Sequence, residues 1–442
     1  MIDTLILARI QFAATITFHI LFPTINIALC WLLLMFKILY DYTQDPKWMD
    51  IYRFWIKIFA LCFVLGIVSG VTMPFQFGIN WPGFMERADS VAGPLLSYEV
   101  LTAFFLEATF LGVMLFGQKR VPNYVYNISI FLVALGTTLS AFWILILNSW
   151  MQTPSGYEYI DNKIHAVNWC EILFNPSMPY RISHMLLASL LTASFLIAGI
   201  SAYRMLQGDK SKSVFSALKI TIFIAAIVIP IQMFIGDAHG RNTLKHQPAK
   251  IAAIEAIWET AKDVPLILFA IPDQAARKNL FEISIPRGAS LILKHDPNAE
   301  LTGLNEFGDK IPPVFPVFWS FRIMVGVGLL MLIVSWTTCV QILRKKNLSR
   351  VILIILTLMS FSGWISTVAG WYVTEIGRQP YIIYNVIEIF EVVTNSPKEN
   401  VASILIMYLA LYIFLTILFV FMVFFLSKKK AQQNNTITKE RN

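Results

Sequence analysis

Charge is the scarcest resource in this sequence. Of its 442 residues only 14% are Asp, Glu, Lys or Arg, while 57% are hydrophobic. A water-soluble domain carries about 25% charged residues. A chain of this length with so few has no means of covering its surface in water, and lipid is the solvent that remains. Cysteine is scarce as well. Cys30, Cys62, Cys170 and Cys339 are scattered with no CxxC or CxxCH, which excludes a disulfide framework, a zinc knuckle and a c-type haem attachment. No internal repeat is visible, so the inverted-repeat signature of many transporters is missing. A signal-peptide cleavage site is missing too: Asp3 precedes Arg9, and the first apolar run continues to Leu39 at spanning length.

What the sequence does have is nine apolar runs of spanning length, near 13–39, 54–77, 95–116, 124–147, 182–206, 216–236, 317–343, 350–374 and 402–426. Each fits a bilayer core of about 30 Å at 1.5 Å rise per residue. The expected fold is therefore all-α, a polytopic transmembrane helical bundle. Residues 1–236 hold spans one to six, 237–316 form a long loop, 317–427 hold spans seven to nine, and 428–442 form a basic tail. The formal charge of +8 sits mostly in short blocks beside the runs, such as Lys119-Arg120, Arg344-Lys345-Lys346 and Lys428–Lys430. That placement encodes topology and gives no reason to invoke nucleic acid. Counting the tail as far as Lys430, fourteen basic residues fall on the C-terminal side and six on the other, the long loop apart. The C-terminus is thus expected in the cytoplasm, and the N-terminus and long loop outside. Within that loop, the stretch from Gln247 to Thr260 reads as a helix starting at Pro248, with Ile251, Ile254 and Trp258 on one face.

Ionisable residues inside spans are costly and mark function by default. The candidates singled out, in the spans or closing them, are His19, Glu99, Glu107, His184, Arg322 and Glu375. With the expected orientation, His19 lies about seven residues into its span, and His184, Arg322, Met324 and Glu375 also lie within roughly 10 Å of the outer boundary. A His and a Met at matching depth on separate helices can hold a low-spin haem, and His184 and Met324 meet that requirement. An interfacial imidazole and a packing methionine explain the same pair. Six histidines in total, two of them in spans, are too few for a haem–copper oxidase. Glu99 and Glu107 are eight apart, about 12 Å along an α-helix and some 80° apart around it. They read either as steps of a proton path, with hydroxyls such as Ser140, or as a structural pair.

These residues lie in strings that resemble subunit I of the cytochrome bd quinol oxidases. The strings are Ala8-Arg9-Ile-Gln-Phe-Ala with His19, Ser140-Ala-Phe-Trp-Ile with Asn148-Ser-Trp-Met-Gln-Thr-Pro-Ser-Gly, and His184-Met. They continue with Gln247-Pro-Ala-Lys-Ile-Ala-Ala-Ile-Glu, Phe321-Arg-Ile-Met and Gly370-Trp-Tyr-Val-Thr-Glu-Ile-Gly-Arg-Gln-Pro. The resemblance runs almost the whole chain. It implies that His184 and Met324 ligate a low-spin b haem. His19 and Glu375 would each ligate one of two further haems, a high-spin b-type haem and a haem d, with no copper. Arg9, Arg322 and Arg378 would hold carboxylates or propionates, and Trp371 would sit beside the haem pair. Lys250 and Glu255 match the family's quinol pair, and Glu99, Glu107 and Ser140 its route for cytoplasmic protons. Two departures stand out. The long loop resembles that of a short-loop form, and the usual GRQPW reads Gly377-Arg-Gln-Pro-Tyr381.

The function expected on this resemblance is oxidation of quinol at the outer face and reduction of O2 to water, in a bacterial cytoplasmic membrane. The expected partners are a second large subunit and a small single-span subunit. The rival is a proton-coupled secondary transporter using Glu99, Glu107 and Glu375, which leaves the depth match of His184 and Met324 and the pair Lys250/Glu255 unexplained.

Overall fold

A computed structural model of the chain describes residues 2–441 except 346 and 395. Lys346, counted above among the orienting basic residues, lies outside them, as does Asn442 at the end of the tail. Among the described residues, nine helices are long and apolar enough to cross a membrane, as the apolar runs predict. They comprise α1 (Ile2–Thr43), α2 (Pro46–Asn80), α3 (Pro82–Tyr98) continuing through a π-helical turn at Glu99–Phe104 into α4 (Phe105–Phe116), and α5 (Asn123–Gln152). After the short α6 (Trp169–Leu173) come α7 (Met178–Leu206) and α8 (Lys212–His246). The loop helices α9 (Pro248–Glu255) and α10 (Gly288–Lys294) precede α11 (Val314–Lys345). The last two spans are α12 (Arg350–Leu358) with α13 (Ser362–Ile376), and α14 (Lys398–Arg441).

The helices outrun the apolar segments that predicted them. α1 begins at Ile2, α8 continues to His246 and α14 to Arg441, so the expected loop starts ten residues late and the expected tail is a helical continuation. Hydropathy reads bilayer thickness, whereas a hydrogen-bonded helix stops only where capping or proline stops it. Such a signal is present at α2, where the Asp45 side chain accepts from Lys47 N at 3.0 Å and Pro46 opens the helix.

The extramembrane loops hold three two-stranded antiparallel hairpins: β1 (Tyr157–Ile160) with β2 (Lys163–Ala166), β3 (Leu266–Asp273) with β4 (Lys278–Ile285), and β5 (Tyr381–Ile383) with β6 (Ile387–Glu388). Loop helix α9 starts at Pro248 as expected but ends at Glu255, five residues short. Ala256 adopts the left-handed conformation (φ 52°), and Ile257 N bonds back to Ala252 O at 2.8 Å, closing a Schellman turn. The expected apolar face still forms: Ile251, Ile254 and Trp258 are all buried in one cluster with Val317 and Phe318 of α11. The long loop is thereby fastened to the bundle by a core of its own.

Candidate functional site

Contacts between helices set one level in the bundle. In an alternating bundle the first and fifth spans run the same way, so α1 and α7 are parallel. Ser189 Oγ of α7 donates to Thr24 O of α1, and five residues earlier on each helix stand His184 and His19. Thr17 and Tyr372 share a hydrogen bond of 2.8 Å, which puts Trp371 of α13 at that level too. Ser366 Oγ of α13 donates to Met324 O of α11 at 3.2 Å, and the Met324 sulfur lies against Gly370. Glu375 is one turn further along α13, about 6 Å. Interhelical contacts therefore bring these residues to one level. His19 lies almost five turns into α1 because the helix begins at Ile2, ahead of the apolar run.

Around Glu375 the polar groups form a network. Oε1 accepts from Asn148 Nδ2 at 2.8 Å and from Gln152 Nε2 at 3.4 Å, and Oε2 accepts from Arg378 Nη2 at 2.6 Å. Lys250 Nζ donates to Gln152 Oε1 at 2.5 Å, so α9 reaches the same cluster. Burial, together with the neighbouring Arg181 and Arg378 guanidinium groups, pushes the Lys250 ammonium well below the ordinary lysine range. Arg181 Nη1 approaches Asn148 Oδ1 at 3.4 Å. Five buried donors or acceptors in this region have no hydrogen-bond partner among the described residues: His184 Nδ1, Trp371 Nε1, Arg181 Nε, and Nε and Nη1 of Arg378. Unpaired buried polar groups are rare and call for an occupant. A haem fits these residues, since its iron takes imidazole or thioether and its propionates take guanidinium donors.

The other expected positions fall into place unevenly. Arg9 donates to the Gln379 side chain, next to Arg378. Arg322 is spent on the loop: Nη2 pairs with Glu255 Oε2 at 2.7 Å, Nε donates to Ile267 O at 3.1 Å, and Nη1 donates to Ile254 O. Lys250 and Glu255, expected to work as a pair, thus face different neighbours, the Glu375 network for one and α11 for the other. His19 Nδ1 meets Ser69 Oγ of α2 at 2.9 Å.

Glu99 and Glu107 depart from the expected 80° offset. The π turn at Glu99–Phe104 winds more slowly than an α-helix, which closes most of that angle. Both side chains then meet α5. Ser140 Oγ donates to Glu99 Oε1 at 2.8 Å, and a Cβ on Gly136, one turn away, would come within 2.6 Å of Glu107 Cγ. Glu107 is buried.

Sequence reasoning missed Ser69, Asn148, Gln152, Arg181 and His239. The first three are neutral and escaped a search for charge, although Asn148 and Gln152 lie in one of the resembling strings. Arg181 counted only toward topology. His239, assigned to the loop, lies on the extension of α8, its ring centroid 5.9 Å from that of His184.

These features define a class: a multi-pass helical membrane protein with imidazole, thioether, carboxylate and guanidinium groups gathered at one end of its bundle. The comparisons with known proteins narrow it. The chain belongs to the family of cytochrome bd terminal oxidase subunit I, whose model matches residues 7–431. It is 32% identical to cytochrome bd ubiquinol oxidase subunit 1 of Bacillus subtilis, over 98% of this chain and 95% of that one. It is 31% identical to cytochrome bd-II ubiquinol oxidase subunit 1 of Escherichia coli, over 93% of each. Among solved structures, bd oxidase from Geobacillus thermodenitrificans superposes with a TM-score of 0.88 at 28% identity, covering 97% of this chain and 99% of that one.

Proposed function

We propose that this chain is the haem-bearing subunit of a quinol oxidase that takes electrons from quinol at the outer membrane face and reduces O2 to water. Bound haem would supply one-electron transfer and an oxygen-reactive iron. His184 and Met324 hold a low-spin b haem in this reading. His19 and Glu375 each hold one of two others, a high-spin b haem and a haem d, and copper has no part. The observation that carries the reading is the shared level of His19, His184, Met324 and Trp371, beside a cluster of unpaired donors on Arg181 and Arg378.

Each protein group then has a task. Arg378 and Arg181 offer free N–H groups to propionates, and Arg9 stands behind them at Gln379. Arg322 keeps Glu255 oriented. In the loop segment, Glu255 accepts quinol protons and Lys250, held by Gln152, orients a quinol oxygen. Glu107 and Glu99, with Ser140, pass cytoplasmic protons upward along one face of α5. Quinol protons leave outside while the protons for water come from the cytoplasm, so charge is separated without pumping. We place the chain in the bacterial cytoplasmic membrane, N-terminus outside, beside a second large subunit and a small single-span one.

The test is a reduced-minus-oxidised spectrum of the assembled complex. Bands of b-type and chlorin haems are expected, and His184→Ala should remove the low-spin b band alone. A complex without either band overturns the reading.

A further inference from the structure

Three of the four residues proposed as iron ligands rest against a glycine on a neighbouring helix. His19 of α1 faces Gly70 of α2, where a Cβ would lie 3.4 Å from the imidazole Cε1. His184 of α7 faces Gly236 of α8 in the same way, again at 3.4 Å from Cε1. Met324 of α11 faces Gly370 of α13, and there a Cβ would lie 2.8 Å from Sδ. By contrast, Gly326 and Gly328, on the same helix as Met324, have nothing within 4 Å of a built Cβ. A glycine in a helix interior costs about 1 kcal/mol against alanine, so its presence behind each ligand is not explained by helix formation.

We propose that Gly370 is a positioning residue that sets where the Met324 thioether stands and thereby whether it ligates iron, with Gly70 and Gly236 acting as softer back walls for the two imidazoles. The inference rests on the assignment of His184 and Met324 to the low-spin haem. Its physical basis is a difference between ligand types. An imidazole is rigid beyond χ2, and a Cβ at 3.4 Å only touches it. A thioether is flexible, so a methyl at 2.8 Å displaces the sulfur rather than the helix. Thioether–iron bonding depends on sulfur position, whereas folding barely registers a side chain that turns aside. The strain from Gly370→Ala therefore falls on coordination and leaves the helix intact.

The test uses the full complex and compares Gly370→Ala, Gly236→Ala, Gly328→Ala, Met324→Ala and His184→Ala. Haem content, the reduced-minus-oxidised spectrum and carbon monoxide binding are read on each. Gly370→Ala should assemble with full haem content yet lose at least half of its low-spin b signal and gain a matching amount of carbon-monoxide-reactive b haem. Gly236→Ala should show a small band shift, and Gly328→Ala none. An unchanged low-spin band in Gly370→Ala, alongside its loss in Met324→Ala, overturns the glycine inference and leaves the haem assignment standing. Failure of Gly370→Ala to assemble overturns it as well, because the strain would then lie in the fold. An unchanged band in both Met324→Ala and His184→Ala overturns the assignment itself.

Discussion

Arg322 of α11 and Glu255 at the end of α9 form an ion pair at 2.7 Å, with side chains only 12% and 6% exposed. The guanidinium also caps two loop carbonyls, Ile254 O and Ile267 O, so one side chain ties the helix end and the β3 strand to the bundle. Removing one partner of a buried pair strands the other and costs about 3–5 kcal/mol. Arg322→Ala should therefore loosen the segment from 247 to 313, seen as faster proteolytic cleavage there, and raise KM for quinol more than it lowers kcat. The double variant Arg322→Ala/Glu255→Ala should recover part of the protease resistance without recovering turnover. Equal protease resistance in wild type and Arg322→Ala would show that the pair does not anchor the loop.

Register, rather than the identity of each residue between them, should govern Glu99 and Glu107. In an unbroken α-helix, residues seven apart sit about 20° apart and residues nine apart about 180°. Deleting Leu101 restores an α-helix with both carboxylates on the α5 face, and oxygen consumption with excess quinol should stay within a few-fold of wild type. Inserting an alanine after Leu101 turns Glu99 away from Ser140 and should cut the rate toward the loss of about 10²–10⁴-fold that a missing general acid–base step costs. If deletion is as harmful as insertion, alignment on α5 is not what the π turn provides.

The spans were legible because lipid leaves no choice: a backbone in hydrocarbon must close its hydrogen bonds locally, and nine apolar runs can only be nine helices. The ligand candidates were legible for the same reason, since His19, His184 and Glu375 stand out against an apolar background. What escaped was whatever costs nothing in composition. The π turn at Glu99–Phe104 has the same residues as an α turn. Ala256 in a left-handed conformation carries no signal of the kind glycine gives, so the stop of α9 was read five residues late. Gln152, which bridges Lys250 to Glu375, is neutral, and nothing in a glutamine's identity marks it as the link between two ionisable groups.

Lys250 makes a prediction about pH. Its ammonium is destabilised by burial and by Arg181 and Arg378, so its value in the folded chain lies well below the ordinary 10.5. Between those two values the unfolded chain binds more protons than the folded one, and stability rises with pH through that window. The contribution is complete above the ordinary lysine value and is lost as pH falls through the folded one. Lys250→Met removes the group from both states. The thermal midpoint of wild type minus that of Lys250→Met should therefore climb as pH is raised toward 10.5, and a difference that is flat or falls with pH contradicts the placement of the side chain.

Ser69 should decide which imidazole nitrogen His19 offers to iron. Its hydroxyl has one proton, and two carbonyls, Leu65 O and Gly66 O, each lie 3.0 Å away to take it. The same oxygen, 2.9 Å from His19 Nδ1, is then left to accept, which fixes the proton on Nδ1 and frees the Nε2 lone pair for a metal. Partners of this kind orient a ligating imidazole and raise its basicity, and their loss typically weakens metal binding by about 10–100-fold. Ser69→Ala should leave the fold and the His184/Met324 signal intact while the haem held by His19 becomes substoichiometric on dilution or dialysis. Ser69→Thr keeps the hydroxyl and should retain it. A full complement of haem in Ser69→Ala after prolonged dialysis would mean that the tautomer is set elsewhere, and the hydroxyl would then be no more than a helix-backbone contact of α2.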